Sequence, residues 1–107
     1  MNHGLPDKSF QMIIEAIARF DVIETAFLYG SRAMGNFKKG SDVDLAIKGE
    51  NITYNTVLRL SSILNQELPL PYFFDVTHYE SSSSEELKKH IDTEGVQIYS
   101  KSKEAIK

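Results

Sequence analysis

The chain of 107 residues contains no cysteine, which excludes disulfides and thiolate metal sites and fits a cytoplasmic setting. No apolar run approaches the roughly 20 residues of a membrane span. The start, Met1-Asn2-His3-Gly4-Leu5-Pro6-Asp7, lacks a basic stretch followed by an apolar one, so no signal peptide is read there. A basic surplus is also missing: twelve Lys and Arg stand against fifteen Asp and Glu. A protein that grips a long nucleic acid by its phosphates carries the opposite balance. An extended nucleic acid is therefore not expected as a partner, while the charge balance leaves a single nucleotide with its metal ions open. What remains, 41% hydrophobic and 25% charged residues, describes one globular domain that buries about two thirds of its unfolded surface.

The densest chemistry lies between Gly30 and Ile47. Gly30-Ser31 follows an apolar run, and Asp42-Val43-Asp44 opens another ten residues later. Gly-Ser between a strand and a short helical segment offers bare backbone N–H groups and a hydroxyl, which suits a phosphate. Asp42 and Asp44, two apart on an extended chain, point to one face. Two carboxylates about 4 Å apart repel by about 4 kcal/mol at an effective dielectric near 20. A divalent cation between them, or a proton on one, relieves that cost. Four such residues at fixed spacing would occur by chance in roughly one chain in a thousand of this length. The competing reading makes Gly30-Ser31 a plain turn and the two acids a solvated strand edge.

Taken in order, residues 7–20 read as an amphipathic helix with Phe10, Ile13, Ile14 and Ile17 as its stripe, started by Pro6 and Asp7. Val22 to Tyr29 reads as a buried strand, Ser31 to Met34 as one helical turn, and Asn36 to Ser41 as an exposed loop. From Asp42 the pattern alternates, with Val43, Leu45 and Ile47 facing a core and Asp42, Asp44 and Ala46 facing away. Thr53 to Glu67 is a second helix, stopped by Pro69 and Pro71. Tyr72 to Thr77 is an aromatic-rich strand with one acid, Asp75. Ser83 and Glu86 have capping-box spacing for a third helix that buries Leu87 and Ile91 and ends at Gly95. Val96 to Tyr99 is a last strand, and residues 101–107 read as a charged, frayed end. The expected fold is α/β (α+β): one domain over 1–107, with its core about 8–100 and helices packed on a mixed sheet of about four strands.

Asp75 is the natural third carboxylate, because an acid inside Tyr72-Phe73-Phe74-Asp75-Val76 needs a partner or a proton. If its strand neighbours the Asp42 strand, three acids converge and could hold two Mg²⁺ ions over a triphosphate. Arg32, Lys38 and Lys39 are candidate phosphate partners, although exposed lysines usually do nothing so specific. His78, three residues beyond Asp75, is a candidate base, with a surface or capping role the commoner reading. His3 and His90 carry no signal in the sequence.

Gly30-Ser31, ten residues, Asp42-x-Asp44, and Asp75 on a later strand resemble the DNA polymerase β-type nucleotidyltransferase superfamily. Gly30-Ser31-Arg32-Ala33-x-Gly35 with Ser41-Asp42-x-Asp44-Leu45 resembles its minimal nucleotidyltransferase (MNT) branch, as does the ending from Leu87 to Tyr99. The resemblance implies a palm-like fold and Mg²⁺-dependent transfer of a nucleoside monophosphate to a hydroxyl, with pyrophosphate released. It matches Gly30 and Ser31 to the phosphate-holding pair, Asp42 and Asp44 to the metal-binding and catalytic pair, and Asp75 by position to the third carboxylate; Arg32 joins Gly30 and Ser31 as a nucleotide-binding candidate on its charge. MNT proteins are typically antitoxins that transfer AMP from ATP to a tyrosine of a HEPN-domain toxin, so the resemblance also implies that partner. Acceptor specificity is then expected from the partner or a second subunit. The alternatives are a non-catalytic protein-binding antitoxin module and the catalytic subunit of a small-molecule, antibiotic-type nucleotidyltransferase.

Overall fold

The computed structural model describes residues 3–38 and 40–101; Met1, Asn2, Lys39 and most of the expected charged end, residues 102–107, lie outside them. Helix α1 spans Asp7–Ala18, with Pro6 as N-cap and Asp7 in the first turn, where an acid complements the helix dipole. It stops two residues earlier than its pattern suggested. The turn that follows buries Ile23 completely and shortens strand β1 to Thr25–Tyr29. A one-turn helix α2, Ser31–Met34, closes on Gly35 in the left-handed conformation. Strand β2 is Val43–Lys48.

Helix α3, Tyr54–Ser62, starts at Thr53, whose side chain and that of Thr56 cap each other's backbone N–H groups. The predicted helix runs on to Glu67 as expected, but its last turn, Ile63–Glu67, widens to π-helical geometry. Strand β3 is Phe74–His78, helix α4 is Glu85–Glu94, and strand β4 is Val96–Ser100. The N-cap of α4 is Ser84, whose side chain accepts from the Leu87 N–H, so the expected Ser83 start moves by one residue. Among the described residues, no helix is long and apolar enough to cross a membrane.

The strand order is β3-β2-β1-β4. Strand β1 pairs antiparallel with β2 and with β4, while β2 and β3 run parallel, joined through α3. The sheet is mixed, as its element order predicted. One face meets α1 and α3, where Val43, Leu45 and Ile47 interlock with Ile13, Ile17 and Leu60, all buried. Each such side chain, fully buried, contributes about 1.5–3 kcal/mol. The other face carries a smaller cluster of Tyr29, Ala46 and Ile91, with Phe27, Tyr79 and Leu87 against it. Ala46, expected on an open face, is thus buried beneath α4. The acid-bearing part of that face stays open: Asp42 and Asp75 are exposed and Asp44 half-buried.

Candidate active site

The parallel register sets Asp44 of β2 directly beside Asp75 of β3. Residues paired in this way share a face, on strands about 4.8 Å apart. Tyr29 of β1 flanks Asp44 on its other side. Asp42 lies just ahead of β2, close enough for its charge to act on Asp44. Burial raises the proton affinity of Asp44 above the ordinary carboxylate range, and the charges of Asp75 and Asp42 raise it further. Burial likewise raises that of the Tyr29 hydroxyl, with the Asp44 and Asp75 charges adding to it. Thr77, two residues along β3 from Asp75, lies 3.2 Å from the Tyr29 hydroxyl through its own Oγ1.

This donor set consists of carboxylate oxygens, the chemistry that suits a hard divalent cation. Among the described residues, no three His, Asp or Glu side chains are arranged to hold an ion by themselves. Mg²⁺ usually keeps several waters and is held by one or two carboxylates together with substrate phosphates. Asp42, Asp44 and Asp75 therefore fit a cation that arrives with a triphosphate better than a resident one.

Gly30 joins β1 to α2 with φ of +76°, and a Cβ there would stand 2.3 Å from Asp44 Oδ2. Only glycine lets the chain turn so close to that carboxylate. Its N–H is not bare, as the sequence suggested: it donates to His90 Nε2 at 3.0 Å. Ser31 is the first residue of α2, next to this turn.

Arg32 is the clearest departure from expectation. As a candidate phosphate partner it should face the acids from an accessible position, yet it is 1% exposed. Its Nε and Nη2 donate to the Ser41 carbonyl at 3.2 and 2.9 Å, and its Nη1 donates to the His3 carbonyl at 2.9 Å. The guanidinium also stands about 5 Å from the ring centres of Phe37 and Tyr72. Three backbone bonds and two aromatic rings make it a pin for the loop that carries Ser41 and Asp42, in place of a nucleotide contact.

Lys38 is exposed on that loop, and Lys39 lies outside the described residues. His78 points to the opposite face from Asp75, as strand alternation requires, and binds Glu80 at 3.1 Å. It is not placed to act as a base for this site. The residues that sequence reasoning passed over are His90, Tyr29 and Thr77. His90 follows Leu87 by one helical turn and precedes the buried Ile91, a position on the rim of the packed stripe that nothing in one sequence distinguishes from solvent.

The sequence profile of the family described as polymerase beta, nucleotidyltransferase, matches residues 11–104. No curated protein sequence matches the chain. Among solved structures, a toxin–antitoxin crystallised with AMP-PNP is similar at a TM-score of 0.73 and 21% identity, over 89% of this chain and 76% of that one. The MntA–HepT toxin–antitoxin is similar at 0.69 and 18%, over 92% and 76%. A tri-AMPylated HEPN toxin from Shewanella oneidensis in complex with its MNT antitoxin is similar at 0.68 and 18%, over 92% and 76%. At these identities the likeness establishes the fold alone.

Proposed function

The chain belongs to the polymerase β nucleotidyltransferase family, and on that premise we propose that it transfers AMP from Mg²⁺-bound ATP to a hydroxyl of a partner protein. The acceptor is a tyrosine of a HEPN-domain toxin, and the chain acts as the antitoxin of that pair. The observation that carries the reading is the register that lays Asp44 beside Asp75, with Asp42 two residues upstream and Gly30 against the Asp44 carboxylate. The neighbours support the choice of nucleotide and acceptor: one toxin–antitoxin was crystallised with an ATP analogue, and another complex contains an AMPylated HEPN toxin.

In this reading Asp42 and Asp44 would hold two Mg²⁺ ions, with Asp75, level with Asp44 on the neighbouring strand, completing the set of acids. When bound, the ions supply neutralisation of triphosphate charge and acidity for the incoming hydroxyl. Ser31 offers its hydroxyl and backbone N–H to phosphate oxygens beside the Gly30 turn. Asp75 receives the acceptor proton as the hydroxyl oxygen bonds to the α-phosphorus. The α–β phosphoanhydride bond breaks, and pyrophosphate leaves with its electron pair.

The test uses the purified protein, Mg²⁺, ATP labelled at the α-phosphorus and a cognate HEPN partner. The wild-type chain labels the partner, and Asp42→Asn combined with Asp44→Asn reduces labelling by about a thousandfold or more. Labelling by the double variant at the wild-type rate would mean the site is misassigned. Undiminished toxin neutralisation without labelling would instead show that the chain acts by occlusion.

A further inference from the structure

We infer that His90 of α4 is a positioning residue for the Gly30–Ser31 turn, an assignment that rests on the nucleotide reading above. A backbone N–H can only donate, so the 3.0 Å contact between Gly30 N and His90 Nε2 makes Nε2 the acceptor and places the ring proton on Nδ1. The imidazole is held from a second direction. Its ring stands edge-on to Tyr29, with centroids 5.9 Å apart and planes at 76°. Tyr29 is itself buried and linked through its hydroxyl to Thr77 on β3.

Gly30 is thereby held by His90 at its N–H, while the Asp44 carboxylate fills the space where a Cβ would stand. Its left-handed φ is one that the backbone does not hold without support, because glycine is the most freely turning residue in the chain. The rest of α4 fixes the ring in place: Ile91 is buried against Tyr29 and Ala46, with Leu87 packed beside it. A bond spanning sixty residues therefore couples the C-terminal helix to the turn that precedes Ser31. Nucleotidyl transfer depends on alignment, and a displacement of about 1 Å can cost about a hundredfold in rate. His90 acts through Gly30 and touches no reacting atom.

The experiment compares wild type, His90→Leu, which has no acceptor, and His90→Gln, whose side-chain carbonyl can take the place of Nε2. Three quantities are read: amide hydrogen exchange at Gly30, Mg²⁺–ATP affinity by calorimetry, and KM for ATP and for the HEPN partner separately. His90→Leu is expected to speed Gly30 exchange at least about tenfold and to weaken ATP binding about tenfold, with KM for the partner unchanged. His90→Gln is expected to restore both to within about threefold of wild type. Wild-type exchange and affinity in His90→Leu would overturn the inference. So would a His90→Gln variant as defective as His90→Leu, or equal losses in both KM values, which mark a general structural role. A wild-type chain that fails to bind Mg²⁺–ATP sinks the nucleotide reading, and the hydrogen bond itself is then judged on Gly30 exchange alone.

Discussion

Asp44 is the residue on which the site's electrostatics concentrate. Its folded proton affinity is raised by burial and by Asp75 and Asp42, so the unfolded chain loses this proton first as pH rises. Ionisation of Asp44 consequently destabilises the metal-free fold. The deficit is absent below the ordinary carboxylate pKa, grows as pH climbs through the folded value, and is complete above it. Asp44→Asn is expected to raise the melting temperature in EDTA at pH 7 and to lose that advantage near pH 4, while abolishing transfer. A melting temperature at pH 7 below that of wild type would contradict this account. Gly30 poses the opposite case, since both its φ and the space beside Asp44 forbid a side chain. Gly30→Ala should cost about 1–3 kcal/mol in urea unfolding and leave labelling of the partner undetectable.

At the scale of elements, β3 carries one of the acids and is also an edge strand. Its odd-numbered residues pair with β2, as the bonds Val43 N to Phe73 O and Tyr79 N to Ile47 O show. The even-numbered residues therefore turn their backbone groups outward. Asn65, in the π-helical turn after α3, occupies the first of these places. It donates to the Phe74 carbonyl at 2.9 Å and accepts from the Phe74 N–H at 2.8 Å. A side chain thus substitutes for a missing fifth strand and sets where β3 begins, which in turn sets Asp75 beside Asp44. Asn65→Ala leaves both groups of the buried Phe74 backbone without partners. It should cost about 1–3 kcal/mol by denaturant titration and lower activity, whereas a change within about 0.3 kcal/mol would show the contact to be incidental. The widened turn was not readable in advance, because the apolar stripe of Val57, Leu60, Ile63 and Leu64 suits a regular helix equally well.

For the whole molecule, α1 and α3 pack on one face of the sheet and α4 covers part of the other. The consequence is a scaffold whose open patch is the acid-bearing corner, where repulsion among carboxylates persists until positive charge arrives. Mg²⁺ and ATP together should therefore stabilise the fold measurably. At a hundred times the dissociation constant the gain is about 2.7 kcal/mol, which for a domain near this size raises the melting temperature by about 10–20 °C. EDTA should cancel the shift, and Asp42→Asn with Asp44→Asn should abolish it. An equal shift in EDTA would place nucleotide binding elsewhere.

The residue pattern alone determined the element order and the core stripes, because burial demands periodicity that can be counted: Val43, Leu45 and Ile47 every second residue, Phe10, Ile13, Ile14 and Ile17 around a helix. It also marked Asp42, Asp44 and Asp75, since acids inside apolar runs are costly without a purpose. Distances across the sequence were not legible in that way. That Asp44 lies level with Asp75 depends on register across a crossover, and that Arg32 turns into a buried pin depends on carbonyls supplied by His3 and Ser41. The role of His90 depends on α4 docking against Tyr29 and Ala46, sixty residues from the glycine it holds. Local chemistry names the groups that can act, while only packing decides which of them meet.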